Sequence, residues 1–163
     1  MADCPSTAAW IDKAEEDARA ARALHRPSGN DKVANDFRDC AAWRRARDLV
    51  VKLDRARKRA TWGRDRDWVA DLRGSAVSLC DFIVRGCAQD DPDGELCEYR
   101  GALCELRSVE GHLEVLLSIF PDESSTIAKL QAECDKCAHE LGKLIEESQT
   151  RVHVQKNLES LDQ

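Results

Sequence analysis

Apolar residues in this chain recur at every third or fourth position, in segments separated by short breaks rich in Gly, Pro, Asp and Ser. Such spacing places the apolar side chains along one face of an α-helix. No segment shows the alternation of apolar and polar residues that is typical of a half-buried strand. Helices are predicted at residues 6–24, 31–60, 65–88, 95–119 and 123–150, and the last one either frays or continues to 161. The pattern indicates an all-α antiparallel bundle of about five helices in a single domain, 1–163.

The composition of the chain agrees with helices that have broad solvated faces, since 34% of its residues are charged and only 5% are aromatic. The eight cysteines are the unusual feature. They are more than a chain of this length ordinarily contains, and an even number permits complete pairing as disulfides. The bundle is therefore predicted to be stapled by disulfides.

Four of the cysteines are arranged symmetrically about Pro92: Cys80 and Cys87 precede it, and Cys97 and Cys104 follow it. The members of each pair are seven residues apart, which is about two helical turns, so both lie on one helix face. A chain that folds back at Pro92 then brings Cys87 beside Cys97 and Cys80 beside Cys104. The sequence therefore predicts a helical hairpin closed by two disulfides, 80–104 and 87–97, which flank its apolar seam.

This arrangement resembles that of the coiled-coil–helix–coiled-coil–helix proteins of the mitochondrial intermembrane space, in which paired bridges join two helices. The resemblance covers only residues 80–104. Those proteins typically have twin Cys-x9-Cys motifs, whereas this chain has twin Cys-x6-Cys motifs. The resemblance implies a shared hairpin geometry and carries no function.

The other four cysteines, Cys4, Cys40, Cys134 and Cys137, allow three pairings. Bridges 4–134 and 40–137 are favoured, because Cys4 and Cys40 would lie at different heights of an up-down bundle. The alternative is a metal site, since Cys134, Cys137 and His139 offer two thiolates and an imidazole, which suit Cu(I) or zinc. The disulfide hypothesis itself predicts no cofactor.

Complete disulfide pairing is typical of an oxidising compartment, so we expect the chain to be secreted. The first residues have neither the basic n-region nor the apolar h-region of a signal peptide, and this hypothesis takes the chain to be a mature form whose signal has been removed. The alternative location is the cytosol, with all cysteines reduced. No uncharged apolar stretch approaches the ~20 residues that span a bilayer.

The motifs of common catalytic sites are missing from the sequence. It contains no His-Glu-x-x-His, no Glu-x-x-His, no Gly-rich phosphate loop and no Gly-x-Ser-x-Gly. The four histidines are scattered over separate segments. The protein is therefore predicted not to be an enzyme.

The segment 44–66 is strongly basic, although the net charge of the chain is −6. Its cations either form a surface for a partner or pair internally with the acidic helix at 95–119. Its candidate partner-binding residues are Arg55, Arg57, Lys58, Arg59, Trp62 and Arg64. Trp62 either fills the core between two helices or anchors a protein partner. Nucleic acid and anionic lipid are less favoured partners because the chain as a whole is acidic.

These features together favour a secreted, non-enzymatic, disulfide-stapled helical protein that binds an unidentified protein partner. The specific hypothesis is an effector that acts on a host in virulence. Two alternatives stay open: a Cu(I)- or zinc-binding bundle, and a cytosolic adaptor that binds a polyanion through residues 44–66.

Overall fold

The computed structural model describes residues 36–64 and 66–161, which belong to one compact unit, Asn35–Gln163. Its α-helices are α1 (Ala41–Arg57), α2 (Arg66–Ala88), α3 (Pro92–Ile119) and α4 (Ser124–Leu161). No strand occurs in these ranges, and the all-α prediction is confirmed for them. The helix predicted at 6–24 lies outside the described residues, so the total of about five helices and the single domain over 1–163 stay predictions.

Helix α1 begins at residue 41, whereas the apolar spacing predicts a start at residue 31. The Asp36 side chain accepts a hydrogen bond from the Arg38 amide at 3.0 Å, at the start of a 3₁₀ turn, Phe37–Asp39. Cys40 then has an extended backbone, with φ −67° and ψ 120°, and is the N-cap of α1. The prediction is therefore wrong for residues 36–40. Short acidic side chains compete with helical backbone hydrogen bonds, and the apolar pattern does not report that competition.

Helix α3 begins at Pro92, three residues before the predicted start. Proline suits the first helical position because its fixed φ is helical and its missing N–H would have no partner there. The Asp91 side chain caps the helix by accepting a hydrogen bond from the Gly94 amide at 2.8 Å. Only residues 89–91 separate α2 from α3, so the two helices are antiparallel neighbours.

Helix α4 continues without a break to Leu161, which decides between the two alternatives for the tail. Its late turns run beside the start of α3. Arg151 Nη2 lies 2.7 Å from Glu95 Oε1, and Lys156 Nζ lies 3.3 Å from Asp93 Oδ1. These contacts join the late turns of α4 to the start of α3.

The helices form a four-helix bundle in which each one packs against two others. Both α1 and α3 pack against α2 and α4, so α1 and α3 occupy opposite corners. Every helix contributes fully buried leucines to the core, among them Leu49, Leu79, Leu106 and Leu141. Burial of each such side chain stabilises the fold by about 1.5–3 kcal/mol. Within residues 36–64 and 66–161, no helix is both long enough and apolar enough to cross a membrane.

Helices α2 and α3 approach each other closely where glycine faces an aromatic ring. Gly86 lies against the ring of Tyr99, and Arg85 Nε lies 3.1 Å from Glu98 Oε2. In both pairs the two residues lie about equally far from Pro92 along the sequence. The hairpin therefore has the register that the symmetry of the cysteines predicts.

The two predicted disulfides of this hairpin are not formed, because its four cysteines are free thiols. On α2, Cys80 is buried and Cys87 is half-buried, whereas on α3 both Cys97 and Cys104 are exposed. The seven-residue spacing does keep each pair on one helix face. The α2 pair faces the bundle interior, however, while the α3 pair faces solvent. The register of the hairpin brings the cysteines of α2 and α3 to the predicted heights along the bundle. The rotation of α3 about its own axis, however, keeps their thiols apart.

The remaining described cysteines, Cys40, Cys134 and Cys137, are also free thiols. No two cysteines among residues 36–64 and 66–161 lie at disulfide distance. The predicted 40–137 bridge is therefore not formed, since Cys137 is completely buried on α4 while Cys40 contacts Cys87. The other predicted bridge, 4–134, includes Cys4, which lies outside the described residues.

Candidate functional site

Two connecting turns meet at one end of the bundle. The link between α1 and α2 contains the 3₁₀ turn Thr61–Arg64, and the link between α3 and α4 contains Pro121–Glu123. The backbone amide and the hydroxyl of Thr61 donate to the Glu123 carboxylate at 3.0 and 3.2 Å. These hydrogen bonds hold the end of α1 close to the end of α3.

Three arginines at this end extend into solvent. Arg55, Arg59 and Arg64 are exposed, and no carboxylate in the described part of the chain pairs with them. Arginine in this state presents its full fork of N–H donors to solvent or to a partner. These three residues are the part of the predicted basic surface that is available for binding.

Two other predicted binding residues are engaged within α1. Arg57 Nε and Lys58 Nζ each lie 2.7 Å from an oxygen of the Asp54 carboxylate. Asp54 is itself mostly buried, with 12% of its side chain exposed. Arg57 and Lys58 are therefore partly neutralised by an internal partner and contribute less to a binding surface.

Trp62 is a core residue, which decides between the two interpretations of its role. Its side chain is 1% exposed, and its indole Nε1 has no hydrogen-bond partner among the described residues. The neighbouring Gly63 packs directly on the backbone carbonyl of Arg57, where a Cβ would overlap the oxygen. Because Trp62 is buried, it cannot anchor a partner on the surface.

Among the described side chains, no cation of the basic segment pairs with a carboxylate of the helix predicted at 95–119, since α1 and α3 lie at opposite corners of the bundle. Among the described cations of the segment, Lys52 does cross to another helix, and its Nζ lies 2.8 Å from Glu133 Oε2 on α4. Hydrogen bonds from Lys136 and then from Lys52 lower the pKa of Glu133. One basic residue of the segment is therefore matched internally by α4.

Two exposed apolar residues stand at the same end of the bundle. Val115 is 43% exposed and Ile119 is 57% exposed, one turn apart at the end of α3. We call the group of exposed side chains at this end of the bundle, Arg55, Arg59, Arg64, Val115 and Ile119, the basic end. The apolar spacing of α3 identifies the residues that face the core, and Val115 and Ile119 lie outside that seam. Apolar residues outside the seam of a helix are the signal in the sequence that could have identified this exposed pair.

Three cysteines lie in the core. Cys80 is 4% exposed, and Cys134 and Cys137 are 0% exposed. Burial raises the pKa of Cys134 and of Cys137 to about 12, and it raises that of Cys80 further. Because the thiolate is the reactive form, these three thiols are inert near neutral pH.

The predicted metal ligands Cys134, Cys137 and His139 are not brought together. The two thiols face the core, whereas His139 is exposed. A separation of two residues turns a side chain by about 200° around a helix, so His139 points away from Cys137. Within residues 36–64 and 66–161, no three side chains of His, Cys, Asp or Glu converge on a metal position.

Cys40 at the start of α1 and Cys87 in the last turn of α2 influence each other's pKa. The hydrogen bond from Cys87 is the largest cause that lowers the pKa of Cys40 to about 6, against the opposing effect of burial. Cys40 makes no capping hydrogen bond of standard geometry, but the amides of Trp43 and Ala42 at the helix N-terminus favour its thiolate. Cys87, as the donor, has a raised pKa, and burial adds to this effect. The Tyr99 hydroxyl of α3 also donates to Cys87 Sγ, at 3.7 Å.

Sequence reasoning misses this pair. The apolar spacing places Cys40 inside a helix, although the acidic residues before it are the usual signal of a helix start. Nothing local connects Cys40 to Cys87, because the two are 47 positions apart and belong to different helices. Only the packing of α1 on α2 brings them together.

Comparisons with protein-family models, with curated proteins and with solved structures give no match for this chain. Function is therefore inferred from the geometry of the described side chains.

Proposed function

We propose that this protein is a non-enzymatic helical binding protein that engages an acidic protein partner through the basic end. The observation that carries the proposal is the combination of three exposed arginines, which pair with no carboxylate of the described residues, with two exposed apolar side chains at one end of the bundle. The rigid helices would present this surface with little loss of conformational entropy on binding.

The arginines support a protein partner because arginine is enriched among the residues that dominate binding energy at protein interfaces. Within residues 36–64 and 66–161, Arg55, Arg59 and Arg64 have no ion pairs to give up. Carboxylates of a partner could therefore bind their N–H groups in the bidentate geometry that makes such contacts strong and specific.

The apolar pair supports the same class of partner. Single exposed apolar residues are ordinary on protein surfaces. Val115 and Ile119, however, are adjacent on one helix face and share their end of the bundle with the arginines. An apolar centre beside charged residues is the usual anatomy of a protein–protein interface.

The distribution of acidic residues favours protein over nucleic acid or anionic lipid. Asp122 and Glu123 lie in the turn at this end, and the chain has a net charge of −6. Carboxylates repel a phosphate backbone or an anionic membrane, whereas a folded partner can place its own charges to suit both signs. Secretion and an effector role against a host stay predictions, since their argument depends on bridges that the described cysteines do not form.

Binding of a fluorescein-labelled peptide with Glu and Leu at helical spacing, followed by fluorescence anisotropy, tests the proposal. The triple variant Arg55→Ala/Arg59→Ala/Arg64→Ala should weaken binding at least about tenfold, since a single interface arginine commonly contributes 1 kcal/mol or more. Val115→Ser/Ile119→Ser should weaken it by a smaller factor.

The matched control is Arg45→Ala/Arg100→Ala, which removes exposed arginines elsewhere on the bundle. It should leave binding unchanged. Equal loss in the control, no binding of the peptide, or tighter binding of single-stranded DNA through the same arginines would contradict a protein-binding function for the basic end.

A further inference from the structure

We infer that the acidic partner of the basic end is a second copy of this chain, an inference that rests on the binding function proposed for the basic end and names its partner. The second copy docks through the opposite end of its bundle, so that copies associate head to tail.

Three exposed carboxylates lie at the opposite end of the bundle. Asp90 and Asp91 belong to the turn between α2 and α3, and Asp93 follows in the first turn of α3. Asp93 pairs with Lys156, but both side chains of this pair are well exposed, at 58% and 62%. Exposed pairs of this kind contribute little to stability, so Asp93 can exchange its lysine for an arginine of another copy at low cost.

Two exposed apolar side chains lie at this same end. Val154 is 51% exposed and Leu158 is 59% exposed, one turn apart near the end of α4. Lys156 stands between them in the sequence, and its Nζ lies 3.3 Å from Asp93 Oδ1, which places this turn of α4 beside the carboxylates. We call this group of exposed side chains the acidic end: Asp90, Asp91, Asp93, Val154 and Leu158.

The two ends of the bundle are alike in composition and opposite in charge. Among residues 36–64 and 66–161, the large apolar side chains that are exposed form one pair at each end, and in both pairs the residues are four positions apart. The basic end adds three arginines to its pair, and the acidic end adds three carboxylates. Opposite charges beside apolar side chains are the arrangement that brings two protein surfaces together specifically.

The minority charges of each end also suit this partner. Asp122 is exposed in the turn at the basic end, and Lys156 is exposed at the acidic end. A copy that docks through its acidic end can therefore offer a cation to Asp122 as well as carboxylates to the arginines. This balance distinguishes a second copy from a uniformly anionic partner such as nucleic acid.

The length of the bundle prevents the two ends of one copy from meeting. Helix α3 runs from the acidic end to the basic end and has 28 residues. At 1.5 Å per residue the two ends are therefore about 42 Å apart. Complementary ends can then meet only between copies. Such an interface is heterologous, so every docked copy leaves one end of each kind available for the next.

Sedimentation velocity of the full-length protein under reducing conditions, at concentrations from about 1 µM to about 1 mM, tests the inference. Reduction keeps the exposed thiols of Cys97 and Cys104 from crosslinking copies. We expect the average mass of the wild type to rise with protein concentration. It should fall when salt is added, because salt screens attraction between exposed charges.

Two variants each remove one end. The first is the triple alanine variant of the arginines at the basic end, and the second is Asp90→Lys/Asp93→Lys, which spares the capping Asp91. Each variant alone should associate at least about tenfold more weakly than the wild type. An equimolar mixture of the two should form a dimer with the wild-type affinity and nothing larger, because each variant keeps the end that the other lacks.

The matched control is Asp71→Lys/Asp135→Lys, which makes the same change in net charge at exposed positions between the two ends. It should associate as the wild type does. Self-association that persists unchanged in either end variant, or a mixture that forms no dimer, overturns the inference, because copies would then meet through other surfaces.

The peptide assay separates this inference from the binding function itself. The Asp90→Lys/Asp93→Lys variant keeps its basic end and should bind the acidic peptide as the wild type does. A wild type that stays monomeric up to about 1 mM while it still binds the peptide overturns self-association and leaves the basic end with a different protein partner. A monomeric wild type that does not bind the peptide overturns both.

Discussion

The contact between α2 and α3 at Gly86 gives a quantitative test of the hairpin packing. A Cβ built on Gly86 would lie 2.7 Å from Cδ1 and 3.0 Å from Cζ of Tyr99. The Tyr99 side chain is 2% exposed, so its ring cannot move aside into solvent. Gly86→Ala must therefore push α2 and α3 apart or distort the ring, and overpacking of this kind costs about 1–3 kcal/mol.

Helix propensity opposes this cost, because replacement of glycine by alanine in a helix interior stabilises by about 1 kcal/mol. Gly74 lies in the same helix, and a Cβ there would have no other atom within 4 Å. Gly74→Ala therefore reports propensity alone. The free energy of unfolding of Gly86→Ala should be lower than that of Gly74→Ala by about 1–3 kcal/mol, which is the packing cost itself.

Urea unfolding under reducing conditions, followed by far-UV circular dichroism and by tryptophan fluorescence, measures the difference. Coincident transitions by the two probes establish two-state unfolding, and equal slopes make the midpoints comparable. In α3, Gly101 faces the half-buried ring of Phe82, while Gly111 has no neighbour within 4 Å, so this second pair should show the same sign. Equal stability of Gly86→Ala and Gly74→Ala would refute the close packing of Tyr99 on α2.

Further predictions concern the buried Trp62, the turn before α3 and the ion pair between α1 and α4. Trp62→Ala should lower the free energy of unfolding by about 3–5 kcal/mol in urea titrations, because the side chain is buried. Trp62→Phe should lower it by less, because the indole N–H has no hydrogen-bond partner among the described residues. Equal effects of the two substitutions would contradict a packing role for Trp62. Asp91→Ala should cost about 1 kcal/mol in the same assay, whereas Asp91→Asn keeps a capping oxygen and should cost less. Lys136 and Lys52 lower the pKa of Glu133 in the folded protein. The stabilisation that the ionised Glu133 gives the fold is therefore complete above the pKa of this residue in the unfolded chain, and it is lost as the pH falls through its folded-state pKa. The gap in thermal midpoint between wild type and Glu133→Gln should therefore be widest near neutral pH and close below about pH 4; a gap independent of pH would show that ionisation of Glu133 does not matter.

The helices of the central hairpin follow closely from local signals in the sequence. The predicted ranges 65–88 and 95–119 differ from α2 and α3 by one and three residues at their starts, and both ends agree. Period 3.6 in the apolar residues, a turn at Pro92 and a capping aspartate are all local properties, and each acts within a few residues. The register of the hairpin also follows from the sequence. A turn of three residues leaves little freedom for one helix to shift along the other.

The sequence alone therefore determines that the chain is helical, where its hairpin turns and which residues share a helix face. It does not determine which face meets which neighbour, since the rotation of each helix is set by packing against two others at once. That rotation exposes Cys97 and Cys104 on α3. The packing of the helices also buries Trp62 in the link between α1 and α2. Periodicity defines a face on a single helix, whereas contact between helices depends on the joint burial of apolar side chains far apart in the chain.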